Sequence, residues 1–114
     1  MPDGIFGGIE VGKGGIRSEG DLTLREVGKG LRLPTTTGAA RQGTSAAMAA
    51  GTVVVPCTAV TVNSLIFLCH KGNGGNIGIL SETKAGRVAG VSFTILSSNG
   101  ADVGNVDYLL VEPS

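Results

Sequence analysis

Ser64-Leu65-Ile66-Phe67-Leu68-Cys69 is the stretch that decides the fold. It is as long as a typical strand and runs into Gly72-Asn73-Gly74-Gly75, a plain turn signal. Successive strand side chains point to opposite faces. Leu65, Phe67 and Cys69 therefore share one face, and Ile66 and Leu68 the other. Apolar residues on both faces predict a strand covered on both sides.

The flanking sequence repeats this pattern. Thr52–Val55 is a β-branched run ended by Pro56. Ile77, Ile79 and Leu80 begin a further strand. Val91, Phe93 and Ile95 alternate with Ser92 and Thr94, the mark of a half-buried strand. After a turn at Ser97–Gly100, Val106, Tyr108 and Leu110 alternate again, with Leu109 and Val111 on a second apolar face. Ala46–Ala50 has helical propensity, but Gly43 and Gly51 leave only about two turns, a marginal length, so strand or loop is expected. Residues 42–114 thus read as one β domain.

Before it stands a repeat. Glu10-Val11-Gly12-Lys13-Gly14 returns as Glu26-Val27-Gly28-Lys29-Gly30, each copy soon followed by an aliphatic residue and an arginine. A repeated short β unit explains this better than an active site does. Leu22, Leu24 and Arg25–Val27 are expected to form one short strand, and Leu31 and Leu33 another, with turns at the Gly-Lys-Gly triplets. The predicted organisation is an N-terminal β arm at 1–33, a connector at 34–41 and the body at 42–114. The arm is too poor in apolar residues to form a core. Ile9, Val11, Leu22, Leu24, Val27, Leu31 and Leu33 are therefore the candidate interface residues, expected to pair with another chain.

Composition narrows the functional classes. The chain has 114 residues with 20 glycines, three Phe, one Tyr and no Trp. Glycine costs backbone entropy on folding and aromatic burial is scarce, so a lone monomer has a thin core and oligomerisation is expected. Nine basic and nine acidic residues balance, whereas nucleic-acid binding calls for a basic excess. No apolar run reaches the roughly 20 residues that cross a bilayer. The opening Met1-Pro2-Asp3-Gly4 lacks the layout of a signal peptide. Cytoplasmic synthesis and two reduced cysteines, Cys57 and Cys69, follow as expectations.

Reactive chemistry is nearly absent. Gly7-Gly8-Ile9-Glu10-Val11-Gly12-Lys13 matches most of a P-loop, but Gly14 stands where a hydroxyl residue must hold magnesium. His70 and Cys69 are adjacent on a strand and cannot meet. His70 reads as a turn-flanking surface residue, with Cys57 its one conceivable partner. Asp102 and Asp107 flank a glycine-rich turn, where aspartate commonly bonds local backbone. Tyr108 reads as a core or interface ring. No catalytic, cofactor or metal residue is expected, and no cofactor.

Three strings together resemble a known domain: Gly43-Thr44 with Ala50–Val55 and Thr58–Leu68; Gly90–Ser98; and Val106–Pro113. Gly28–Leu33 is similar to the segment that leads into it. The domain occurs in tailed-bacteriophage virion proteins, including tail fibres, tail spikes and head decoration proteins. The resemblance covers about residues 22–113. It implies an all-β, antiparallel β-sandwich or jelly-roll-like domain, usually trimeric, and carries no catalytic residues. The short lead before the domain favours a capsid decoration (cement) protein. This would be a homotrimer that binds the major capsid protein or another virion protein, in a virion assembled in the host bacterial cytoplasm. A short tail fibre or tail-tip protein that binds a host receptor is the alternative. A small hydrolase built on His70, a cysteine and a carboxylate is the enzymatic rival. Partners in nucleic acid or membrane are not expected.

Overall fold

The computed structural model describes residues 15, 19–21, 23, 25–28, 30–33, 35, 38–72 and 75–113. The chain divides into two compact units, Met1–Leu31 and Arg32–Ser114.

Among its described residues the second unit is all-β, with one 3-10 turn at Lys84–Gly86. Its strands are β1 (Gln42–Thr44), β2 (Thr52–Pro56), β3 (Leu65–His70), β4 (Leu80–Ser81), β5 (Ser92–Ser97) and β6 (Val106–Val111). They form two antiparallel three-stranded sheets, ordered β1-β6-β3 and β2-β5-β4. The long ladders match the sequence pattern. β3 pairs with β6 from Leu65↔Val111 to His70↔Val106, and β2 with β5 from Thr52↔Leu96 to Pro56↔Ser92.

Both sheets feed one core. Val53 and Val55 of β2, Phe93 and Ile95 of β5, and Val106 and Leu110 of β6 are buried together with Met48, Cys57 and Val60. Ile66, Leu68, Leu80 and Tyr108 pack against them. The Phe93 and Tyr108 rings meet edge to face, with centroids 5.3 Å apart. Phe93 and Ile95 have no exposed surface. Each such side chain contributes about 1.5–3 kcal/mol by leaving water.

The Ala46–Ala50 segment is a loop that ends in a tight hairpin. Ala49 and Thr52 exchange backbone hydrogen bonds across Ala50 and Gly51. Both central residues have positive φ, 53° and 75°, as two-residue hairpin turns require. Residues 38–41 are tied into the body: Gly38 bridges Cys57, Ala40 is buried, and Leu110 N–H donates to the Arg41 carbonyl.

Several expectations need correction. β3 is covered on one face only: Ile66, Leu68 and His70 are partly buried, whereas Leu65, Phe67 and Cys69 are exposed. Cys69 is therefore an exposed free thiol, while Cys57 is a buried one. The apolar outer face of β3 has no cover within the described residues. The run from Ile77 yields a strand only at Leu80–Ser81, with Ile77 and Ile79 exposed in the preceding loop. In the arm, Glu26–Gly28 is a bend and turn, with Gly28 at φ 83°, and Gly30–Leu33 carries no strand. Alternation alone does not make a strand; a hydrogen-bonding neighbour is also required.

Candidate functional site

The end of the domain where β3 and β5 finish holds a buried carboxylate. Asp102, in the loop between β5 and β6, is 1% exposed. Its Oδ1 accepts from Gly104 N–H at 3.0 Å, and its Oδ2 from Ser97 Oγ at 2.8 Å and Gly78 N–H at 3.2 Å. His70 Nε2 lies 3.0 and 2.9 Å from the two oxygens. His70 Nδ1 accepts from Gly72 N–H at 2.8 Å, so the ring proton sits on Nε2, facing the carboxylate. Burial pushes the Asp102 carboxyl up, but the bonds from Gly104, Ser97, His70 and Gly78 outweigh it and lower it to about 2. Gly78 makes this approach possible. A Cβ there would lie 2.3 Å from Ser97 Oγ and 2.6 Å from Asn99 N.

This corrects the surface reading of His70; Asp102 bonds local backbone at Gly104, as its place beside a turn led one to expect, but it does so as a buried carboxylate. The set contains serine, histidine and aspartate, yet it is not wired as a nucleophile and base. A nucleophilic serine hands its proton to an imidazole nitrogen. Here Ser97 and His70 both donate to the same carboxylate, and the other ring nitrogen is taken by backbone. The cluster fastens four chain segments together.

Asp107 is separate from Asp102. It accepts from Thr44 Oγ1 at 2.5 Å and from Lys71 Nζ at 3.3 Å. The Thr44 bond, against the cost of burial and with help from Lys71, holds its carboxyl below the usual range.

The opposite end carries a second polar network that the sequence pattern did not reveal. Arg87 makes a two-pronged bond to Glu82, Nε–Oε2 at 2.7 Å and Nη2–Oε1 at 3.0 Å, with both side chains buried. Its Nη1 donates to the carbonyls of Thr61 and Val62. The Glu82 bond raises the Arg87 guanidinium despite the opposing effect of burial. Beside it, Glu112 accepts from Ser64 Oγ and Thr61 Oγ1, and from Arg41 Nη1 at 3.4 Å. The Ser64 and Thr61 bonds hold its carboxyl below the ordinary value. A lone Glu and Arg five residues apart carry no sequence signal for such a pair.

Between these ends lies the outer face of the β1-β6-β3 sheet. Strand register sets Leu65 beside Val111 and Phe67 beside Leu109. Leu65, Phe67 and Val111 are 49%, 56% and 42% exposed. A shallow hollow of about 180 Å³ is lined by Phe67, Leu68, Cys69, Asp107, Tyr108 and Leu109. A larger cleft of about 390 Å³ opens between β1 and β2, where Gly43, Thr44, Val54, Pro56 and Tyr108 contribute to its wall. Neither hollow carries an acid–base pair. Among the described residues, no group of three or more His, Cys, Asp or Glu could hold a metal ion. No described helix is long and apolar enough to cross a membrane.

Of the candidate interface residues, Ile9, Val11, Leu22 and Leu24 lie outside the described residues. Val27 and Leu31 are exposed, and Leu33 is half-buried with its carbonyl accepting from Gln42 Nε2 at 3.1 Å. The apolar outer face of β3 and β6 was not among those candidates. Its signal was the second apolar face of the Ser64–Cys69 run.

The profile of the K1 capsule-specific polysaccharide lyase, C-terminal domain, matches residues 39–111. The chain belongs to this family. The match spans β1 to β6 and takes in Asp102, His70 and the Glu82–Arg87 pair. Residues before 39 lie outside it. No curated protein sequence matches the chain.

Proposed function

We propose that this protein is a tail component of a tailed-bacteriophage virion, acting in a fibre- or spike-type structure that meets the host surface. The family match over residues 39–111 carries this reading. The family takes its name from an enzyme specific for a capsular polysaccharide. A virion part with that target belongs where the particle touches the cell. Virion proteins of this type are also what the sequence resembles. The match favours the tail over head decoration.

The domain's task in this reading is mechanical and adhesive, without bond making or breaking. The wiring of Ser97, His70 and Asp102 supports that view. The two sheets pack as a β-sandwich, and the body forms a homotrimer through the outer face of β3 and β6. Leu65, Phe67, Leu109 and Val111 supply the apolar contact. Lys71–Asp107 and Arg41–Glu112 lie toward its two ends. Exposed apolar patches ringed by polar residues are typical of protein interfaces.

Competition tests the attachment role. Excess purified protein, mixed with host cells before phage is added, should slow virion adsorption. Unchanged adsorption at saturating protein, with the protein shown to be folded, would remove the receptor-binding reading.

A further inference from the structure

The turn that delivers Asp102 is built on an Asn-Gly pair. Asn99 O accepts from Asp102 N–H at 3.0 Å, which closes a turn with Gly100 and Ala101 at its centre. Ala101 N–H donates to Asn99 Oδ1 at 2.9 Å. Asn99 N–H donates to Ser97 Oγ at 3.2 Å, so both backbone groups of Asn99 are held. Gly100 is exposed and has no positive φ, and a Cβ built on it would meet nothing within 4 Å. Among the described residues, neither Gly100 N–H nor Asn99 Nδ2 has a hydrogen-bond partner. The turn therefore fixes an amide side chain beside a free, unhindered backbone nitrogen. It also aims an N–H at the carbonyl oxygen of that amide.

We propose that Asn99 is a self-modification site, at which the Gly100 nitrogen attacks the Asn99 side-chain amide and converts it to aspartate and isoaspartate. In the first step a bond forms between Gly100 N and Asn99 Cγ. The Gly100 proton passes to Nδ2, which leaves as ammonia, and a cyclic imide closes. Water then opens the ring. Opening at one carbonyl gives aspartate; opening at the other gives isoaspartate, whose main chain runs through Cγ. No oxidant, reductant or cofactor takes part. The turn promotes the first step. Negative charge grows on Oδ1 as the nitrogen adds, and Ala101 N–H already donates to that oxygen. Donors placed where charge develops lower such barriers. Glycine contributes by lacking the Cβ that would crowd the approach. Asn105 supplies the contrast. Its neighbour Val106 is β-branched, Val106 N–H donates to Ser45 Oγ at 3.0 Å, and Asn105 Nδ2 donates to Ser45 O at 2.8 Å. Conversion at Asn99 alters the end of the sheet that holds Asp102. Gly51 N–H donates to Asp102 O, and a Cβ on Gly51 would lie 2.7 Å from Asn99 O, so the turn is packed tightly there. An isoaspartate lengthens the main chain by a methylene inside this turn and makes Asn99 O part of a free carboxylate. The closing bond to Asp102 N–H is lost, and a second negative charge arrives near the buried one. The inference does not depend on where in the virion the protein sits.

The test incubates the full-length chain at mildly alkaline pH, in native buffer and in denaturing urea. Trypsin releases residues 88–114 as one peptide that carries both Asn99 and Asn105. Fragmentation in the mass spectrometer assigns each site, and an isoaspartate-specific methyltransferase reports the rearranged product. Asn99 should convert at least as fast in the folded protein as in the unfolded chain, with isoaspartate among the products, while Asn105 keeps its amide in the folded protein. Gly100→Ala, for which the structure has room, should slow conversion at Asn99 several-fold without lowering the melting temperature. Converted wild-type protein should melt below fresh protein. Retention of the Asn99 amide in the folded protein while the unfolded chain converts would overturn the proposal. So would aspartate without isoaspartate, the mark of direct hydrolysis, or an unchanged rate in Gly100→Ala. An equal melting temperature after conversion would overturn the loss of the turn's closing bond.

Discussion

Replacing His70 by alanine separates a structural fastener from a surface residue. In the structure His70 Nε2–H faces the Asp102 carboxylate at 2.9 and 3.0 Å, with the His70 side chain 11% exposed. A hydrogen bond to a charged group contributes about 1.5–3 kcal/mol. The Gly72 bond adds little, because Gly72 is exposed and its N–H can turn to water. The expected loss for His70→Ala is thus about 2 kcal/mol. For a domain of this size that lowers the melting temperature by roughly 8–16 °C. Thermal unfolding followed by circular dichroism is the assay, with protomer concentration held fixed because assembly couples to stability. His70→Gln, which keeps a donor on the side chain, should lose less. A loss below about 0.5 kcal/mol, the size of an ordinary surface change, would refute the fastening role.

Three further outcomes follow from the same geometry. Asp102 has its folded-state value lowered from 3.8 to about 2. Its contribution to stability is complete above the ordinary value and is lost as pH falls from about 4 toward about 2. Asp107 and Glu112 are lowered as well and act in the same direction. Urea midpoints measured across this range should fall with pH, and less steeply in Asp102→Asn. Arg87→Met leaves Glu82 buried without its partner and should cost about 3–5 kcal/mol. The double change Glu82→Leu with Arg87→Met should recover most of that loss in denaturant titrations. Phe67→Ser should shift the sedimenting species from trimer to a folded monomer of 11.4 kDa. A wild-type chain that already sediments as a monomer would remove the β3–β6 interface.

The strands were legible because their signal is local. Alternation at Phe93 and Ile95, and at Val106 and Leu110, reports directly on which side chains face the core. β1 was not read as a strand, since Gln42-Gly43-Thr44 has no apolar side chain and owes its state to pairing with β6. Ser64–Cys69 was read as covered on both sides because an apolar face looks the same in sequence whether its own chain or another covers it. The polar networks were invisible for a different reason. Asp102 and His70 lie 32 residues apart, and only the fold brings Gly78, Ser97 and Gly104 around them. The sequence had placed Asp102 in a turn, and that turn is what delivers the carboxylate to the buried end of the sheet. Glu82 and Arg87 drew no reading from the sequence, because the carbonyls of Thr61 and Val62 that help hold the buried Arg87 are brought to it only by the fold.

The most direct test of the central claim is to locate the protein on the intact particle. Cryo-electron microscopy of virions, with the protein's position marked by a bound antibody fragment, should show the label on the tail or its fibres. Label spread over the capsid lattice, with none on the tail, would contradict the account and restore head decoration as its function.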